Sequence, residues 1–152
     1  MKIKIEIDEN LTEEEIVIRG SSLTEEMSAV QRAVADVLAR KQTFTFFKQE
    51  TEYYLPLDEI LFFETETGSI SAHTAGDVYT VKYKLYELEQ VLPRNFIRVS
   101  KSTILNTSKV YSVERNLTAS SIVAFADSHK QVYVSRYYYK SLKISLEEKR
   151  LK

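Results

Sequence analysis

Ser100, Lys101, Ser102 and Thr103 stand side by side within Asn95–Asn106 (NFIRVSKSTILN), three hydroxyls around one ammonium. Short hydroxyl groups with a positive tip suit phosphate oxygens and base edges. A second group, Ser135–Arg136, closes the alternating stretch Val132–Val134 and opens a basic segment with Lys140, Lys143, Lys149, Arg150 and Lys152. The planar fork of an arginine matches the O6/N7 edge of guanine. Each group also has a plainer reading. A Ser/Thr row at a strand-to-helix junction is ordinarily an N-cap, and Arg136 has Glu147 or a backbone carbonyl to clamp. Other chemistry has less to stand on. There is no cysteine, and the two histidines, His73 and His129, sit in no metal-ligand spacing. Glu64 and Glu66, two apart on an extended segment, point the same way, but acid–base work needs a matching pocket. No glycine-rich phosphate loop or Gly-x-Ser-x-Gly elbow occurs. No catalytic residue, metal ligand or cofactor is expected.

The neighbouring residues must hold these groups in place. Phe96–Val99 alternates like a strand, and Ile104 and Leu105 require a core, so apolar anchors flank the hydroxyl–ammonium cluster on both sides. Arg94 and Arg98 lie near enough to reach phosphates. Phe44 and Phe46 alternate with Thr43 and Thr45, and Tyr53–Leu57 reads as a further strand, with Pro56 at its end or on an edge. Ile60–Phe63 is a continuous apolar run, the pattern of a strand buried on both faces. Glu64–Ser69 is expected as a loop, followed by paired strands at Ile70–Thr74 and Val78–Tyr83. Leu85, Leu88 and Leu92 mark a short helix stopped by Pro93. Strands are expected at Val110–Val113, Ile122–Ala126 and Gln131–Val134, and a helix over Tyr137–Leu151. The Tyr137–Tyr139 run packs against a sheet and helix more readily than it stacks on bases.

Residues 1–42 read as a separate β-β-α unit, ahead of a domain over 43–152. Ile3, Ile5 and Ile7 alternate with Lys4, Glu6 and Asp8, the pattern of a half-buried strand. Glu15–Arg19 is its expected hairpin partner. Ser22 and Glu25 have capping-box spacing ahead of a helix over Leu23–Arg40. Leu23, Met27, Val30, Val34, Val37 and Leu38 stripe one face of that helix, and Arg40 and Lys41 sit at its C-terminal end, where the macrodipole favours cations. So small a unit must pack on the rest of the chain or on a second copy.

At 43% apolar and 28% charged residues the chain is globular in composition. No apolar run reaches transmembrane length, so no membrane insertion is expected, and the N-terminus lacks a signal-peptide core; a cytoplasmic location fits. The net charge of −1 hides an asymmetry. Residues 1–42 carry 6 basic against 9 acidic groups and residues 43–81 carry 1 against 7, whereas residues 82–152 carry 14 basic against 6 acidic. The C-terminal part can attract a polyanion while the acidic remainder aims it.

"FIRVSKSTILN" and "VYVSRYYYKSLK", with "LDEILFFETETGSI" upstream, resemble in order and spacing the LytTR DNA-binding domain of bacterial transcription regulators, over Thr43 to Leu146. The resemblance implies a mainly β fold with flanking helices: an elongated domain of about ten strands whose loops enter the DNA major groove. It implies sequence-specific binding of double-stranded DNA at tandem direct repeats, with some bending. Its contacts map to three places: the turn near Gly68 and Ser69; Ser100, Lys101 and Ser102; and Ser135 and Arg136. Arg98 and Lys140 are the neighbouring cations. The sequence departs from the family where His-Arg or His-Asn is common and Ser100–Lys101 stands instead, which favours a phosphate contact for Lys101. It departs again in the acidic Glu64–Glu66 loop, whose carboxylates are expected to point away from DNA. Residues 1–42 are too short for the receiver domain that often precedes this domain. They are expected to join a second copy in a homodimer, or to meet a membrane-protein or other regulator partner. The alternative function is a protein-interaction module that uses the N-terminal helix on a degenerate DNA-binding scaffold.

Overall fold

The computed structural model describes residues 1–41 and 44–150. Expectations placed on Thr43, Leu151 and Lys152, and on the side chains of Arg40, Lys41, Lys149 and Arg150, lie outside the described residues. The chain divides into two compact units, Met1–Ala35 and Asp36–Lys152.

In the first unit the expected hairpin does not form. Residues 1–24 contain no strand, and Ile3, Ile5 and Ile7 are 96%, 83% and 90% exposed. A two-stranded ribbon with nothing to cover its apolar face is marginal in water, so alternation alone does not close it. A turn forms at Asp8–Leu11, where the Leu11 N–H donates to the Asp8 carbonyl at 3.2 Å and the Asn10 N–H to Asp8 Oδ1 at 2.9 Å. Helix α1 (Glu25–Lys41) follows. Its cap is Thr24 rather than Ser22: the Thr24 hydroxyl accepts from the Met27 N–H at 3.2 Å. Glu25 and Glu26 then occupy the first turn, where the helix dipole favours carboxylates.

The second unit contains ten strands among the described residues: β1 (Phe46–Lys48), β2 (Thr51–Tyr53), β3 (Phe62–Glu66), β4 (Ser69–His73), β5 (Val78–Val81), β6 (Phe96–Ser100), β7 (Thr103–Asn106), β8 (Val110–Glu114), β9 (Ser121–Phe125) and β10 (Gln131–Val134). Helix α2 (Leu85–Val91) lies between β5 and β6, and α3 (Arg136–Arg150) follows β10. A seven-stranded sheet has the order β2-β1-β5-β4-β3-β7-β6, and a three-stranded sheet has the order β10-β9-β8. The architecture is mainly β with flanking helices, as expected.

Two cores explain the unbroken apolar runs. Phe63 and Ile104 pack with Phe46, Ile70, Leu85, Leu88 and Phe96. Phe62 and Leu105, one residue along, pack with Val99, Val123, Phe125, Val132, Val134 and Leu142. Strands β3 and β7 are therefore covered on both faces, and alternation disappears from their sequence. Asn106, fully buried, ties the end of β7 to its surroundings. Its Nδ2 donates to the Ile60 carbonyl at 2.9 Å, and its Oδ1 accepts from Asn95 Nδ2 at 2.7 Å and the Ser108 N–H at 3.0 Å.

Two boundaries differ from expectation. Gln49, at φ 56°, lets β2 begin at Thr51, paired with Lys48; Leu57–Glu59 is then a 3-10 turn after Pro56 rather than the end of a strand. The loop expected over Glu64–Ser69 shrinks to Thr67–Gly68, because β3 runs on to Glu66 opposite Ser69.

Candidate nucleic-acid interface

The hydroxyl–ammonium cluster forms the tip of a hairpin, not the start of a helix. Strand β6 ends at Ser100 and β7 begins at Thr103, leaving Lys101 and Ser102 exposed in the turn. The turn is internally braced. The Ser102 N–H donates to Ser100 Oγ at 3.2 Å, the two serine hydroxyls lie 3.3 Å apart, and Ser102 Oγ is 3.4 Å from Thr103 Oγ1. Arg98 sits beneath it. Its Nε donates to the Ser100 carbonyl at 2.7 Å, one terminal nitrogen donates to the Lys101 carbonyl, and the other pairs with Glu89 at the end of α2. This guanidinium shapes the turn from below.

Pairing brings the other two motifs to the same end of the large sheet. Glu64 lies opposite Thr103, and the Thr65 N–H donates to the Ser102 carbonyl at 2.8 Å. The Thr67–Gly68 turn and the Lys101–Ser102 turn therefore cap adjacent hairpins at one end of the sheet. Gly68 takes φ 75°, and Ser69 starts β4, exposed. The third motif arrives through a β-bulge. Arg98 faces Ile104 and Ser100 faces Thr103, so Val99 is the extra residue. A bulge bends its strand and re-aims its groups; here the Val99 carbonyl accepts from the Ser135 N–H at 2.9 Å. That bond fixes the end of β10, and with it the start of α3, beside the central turn. Arg136 and Lys140 are exposed there, and no ion pair engages either among the described residues. Tyr138 and Tyr139 pack against the second core, whereas Tyr137 is 85% exposed.

Two cations at this end escaped the reading of the sequence. A groove of about 540 Å³ is lined by Thr65, Gly68, Ser69, Lys82 and Lys84, among others. The only signal was Lys82-Tyr83-Lys84 at the head of the basic segment; that it follows β5 beside the Gly68 turn depends on sheet order.

The acidic pair turns elsewhere. Glu64 and Glu66 lean along β4 to His73, whose Nε2 lies 3.9 Å and 3.8 Å from their carboxylates and 3.3 Å from Ser71 Oγ. The imidazole stacks on Phe62 at 4.2 Å, and Lys130 Nζ stands 3.3 Å from its Nδ1. Burial first, then the Lys130 ammonium, lowers the His73 pKa to about 4, against a smaller upward pull from Glu66. Burial, with the Glu66 charge behind it, raises the Glu64 pKa. Glu64, Glu66 and His73 together have the donor types of a metal site, but Lys130 opposes that use. A neutral His73 accepts the Lys130 proton donor at Nδ1 and so carries its own proton on Nε2, the atom a metal ion would need free.

Known proteins are similar to this chain in sequence or in fold. The profile of the LytTr DNA-binding domain matches residues 50–147. Proteins of Staphylococcus aureus strains NCTC 8325 / PS 47 and N315, described as uncharacterized HTH-type transcriptional regulators, are 30% identical over 145 residues, covering 94% of this chain and 96% of theirs. Despite that description, α1, α2 and α3 are separated by strands, so no two helices follow one another among the described residues. The LytTr DNA-binding domain of a Bacillus cereus protein superposes with a TM-score of 0.64 at 21% identity, over 70% of this chain and 97% of that domain. The chain belongs to the LytTr DNA-binding domain family and is a DNA-binding transcription regulator.

Proposed function

We propose that the sheet end carrying Ser69, Lys101, Ser102, Ser135 and Arg136 enters the major groove of double-stranded DNA and reads a specific sequence there. The observation that carries this is the convergence of three separate motifs on one end through the Thr65–Ser102 and Ser135–Val99 bonds. Arg136 makes the base contact, its fork presented at the start of α3. Lys101, Lys140, Lys82 and Lys84 neutralise phosphates on either side. Arg98 acts as a positioning residue, holding the turn that presents Lys101. The Glu64 and Glu66 carboxylates, drawn toward His73, leave the Gly68–Ser69 turn free of their charge. The sites are tandem direct repeats, the protein works in the cytoplasm, and the N-terminal unit joins a second copy. No catalytic step enters this reading. The test is a selection of bound fragments from random duplex DNA, followed by anisotropy titration at two salt concentrations. A repeated motif should emerge, and Arg136→Ala should weaken its binding by about 1–3 kcal/mol while relaxing preference at one base pair. Salt-sensitive binding with no enriched motif, indifferent to Arg136→Ala, would overturn the reading.

A further inference from the structure

None of the side chains described over residues 1–38 is buried, and among the described residues no backbone hydrogen bond is made by residues 2–7. Those residues nonetheless keep a strand's alternation: Lys4 and Glu6 form an ion pair along one side, and Ile3, Ile5 and Ile7 stand almost fully exposed. An unpaired segment with a strand's alternation and an exposed apolar face is a template for another strand. We propose that residues 2–8 pair with the same residues of a second copy, antiparallel, about a two-fold axis through Ile5. This rests on the reading that the N-terminal unit joins two copies, and it names the contact.

The charges select the partner and the register. Residues opposite one another in an antiparallel pair share a face, so isoleucine meets isoleucine only when odd positions oppose odd ones. Centred on Ile5, the pairing sets Ile3 against Ile7, Ile5 against itself, Lys4 against Glu6 and Lys2 against Asp8. Every charge meets its opposite, and symmetry repeats each pair. Sliding by two residues in either direction sets Lys4 against Lys4 or Glu6 against Glu6. Parallel in-register pairing sets every charge against its like. The segment is thus complementary to itself in one closed, isologous arrangement. Cover for the six isoleucines is available in the same unit. Met27 already lies against the Gly20 backbone, where an added Cβ would fall 2.5 Å from its sulfur. It also heads the α1 stripe that continues through Val30 and Val34.

The test uses the full chain and two charge variants, Lys2→Glu/Lys4→Glu and Glu6→Lys/Asp8→Lys, with mass followed by sedimentation equilibrium. Wild type should be a dimer. Each variant alone sets like charges face to face and should weaken self-association about 10- to 100-fold. An equimolar mixture of the two should recover a mixed dimer of wild-type strength. A wild type that stays monomeric would overturn both the contact and the two-copy reading. A dimer unmoved by either variant, or a mixture that does not reassemble, would overturn the contact and send the two-copy reading to another surface. Anisotropy with a duplex carrying one copy of the selected motif, run on the same samples, reads the DNA-contact proposal separately.

Discussion

The two units of this chain carry equally clear hydrophobic periodicity and do opposite things with it. In Asp36–Lys152 the pattern is spent inside the unit: all twenty buried hydrophobics of the described residues lie there. In Met1–Ala35 the pattern is as regular, yet Ile3, Ile5 and Ile7 face solvent. Periodicity says which side of an element wants cover; it does not say what supplies the cover. Where strands can stack into two layers the cover is intramolecular. Met1–Ala35 has a helix and no strand among its described residues, and none of the side chains described there is buried.

Truncation breaks that comparison most directly. Phe63 is fully buried at the centre of the first core, and Phe63→Ala should cost about 3–5 kcal/mol of stability in urea denaturation. Ile5→Ala, in dilute protein, should change stability by less than about 0.5 kcal/mol. Its effect should grow with protein concentration if the two-copy contact forms. Equal costs for the two substitutions in dilute protein would mean that residues 2–8 are buried within a single chain.

Much of the second unit could be read in advance, because its signals are local. The Phe62–Phe63 and Ile104–Leu105 runs announced strands covered on two sides, Pro93 stopped α2, and the Ser-Arg at the end of β10 marked the third motif. What escaped depends on contacts distant in sequence. The bulge at Val99 is visible only once Arg98 and Ser100 are set against β7. That Arg98 braces the central turn and pairs with Glu89, nine residues back, is visible only in the fold. Lys82 and Lys84 come to the Gly68 end of the sheet only through strand order. The N-terminal strands were misread for the converse reason: a correct local pattern lacked a long-range partner.

His73 sharpens the contrast at the next scale of energy, since it titrates inside the folded unit while the charges of residues 2–8 remain in water. Its folded-state pKa of about 4 stands against an ordinary value of 6.5, so between those values the unfolded chain takes up a proton that the folded one refuses. Stability should be full above about pH 6.5 and fall by roughly 2–3 kcal/mol as the pH drops toward 4. Glu64 works in the opposite sense, because its raised pKa lets the folded state take up a proton first, and it offsets part of the loss at the acid end. Denaturation midpoints measured across this window should flatten in His73→Gln. An unchanged slope in that variant would place the pH dependence on other groups.

The smallest effect separates two turns within the β unit, both exposed and both glycine-bearing. Gly68 sits at φ 75°, a region where a Cβ crowds the following carbonyl, while space around it is open: an added Cβ there meets nothing within 4 Å. Gly76 has the same open surroundings and no positive φ. Sterics with neighbours are thus equal, and backbone conformation alone distinguishes the two. Gly68→Ala should lose about 1 kcal/mol, whereas Gly76→Ala should be neutral or gain up to about 1 kcal/mol by restricting the unfolded chain. The same pair tests the interface. Strain at Gly68 should also weaken DNA binding, because this turn stands beside Lys101 and Ser102, while Gly76, in the turn at the opposite end of β4, should leave affinity unchanged. Equal binding by the two variants would remove the Gly68–Ser69 turn from the DNA-contacting end and leave the contact to the central turn and Arg136.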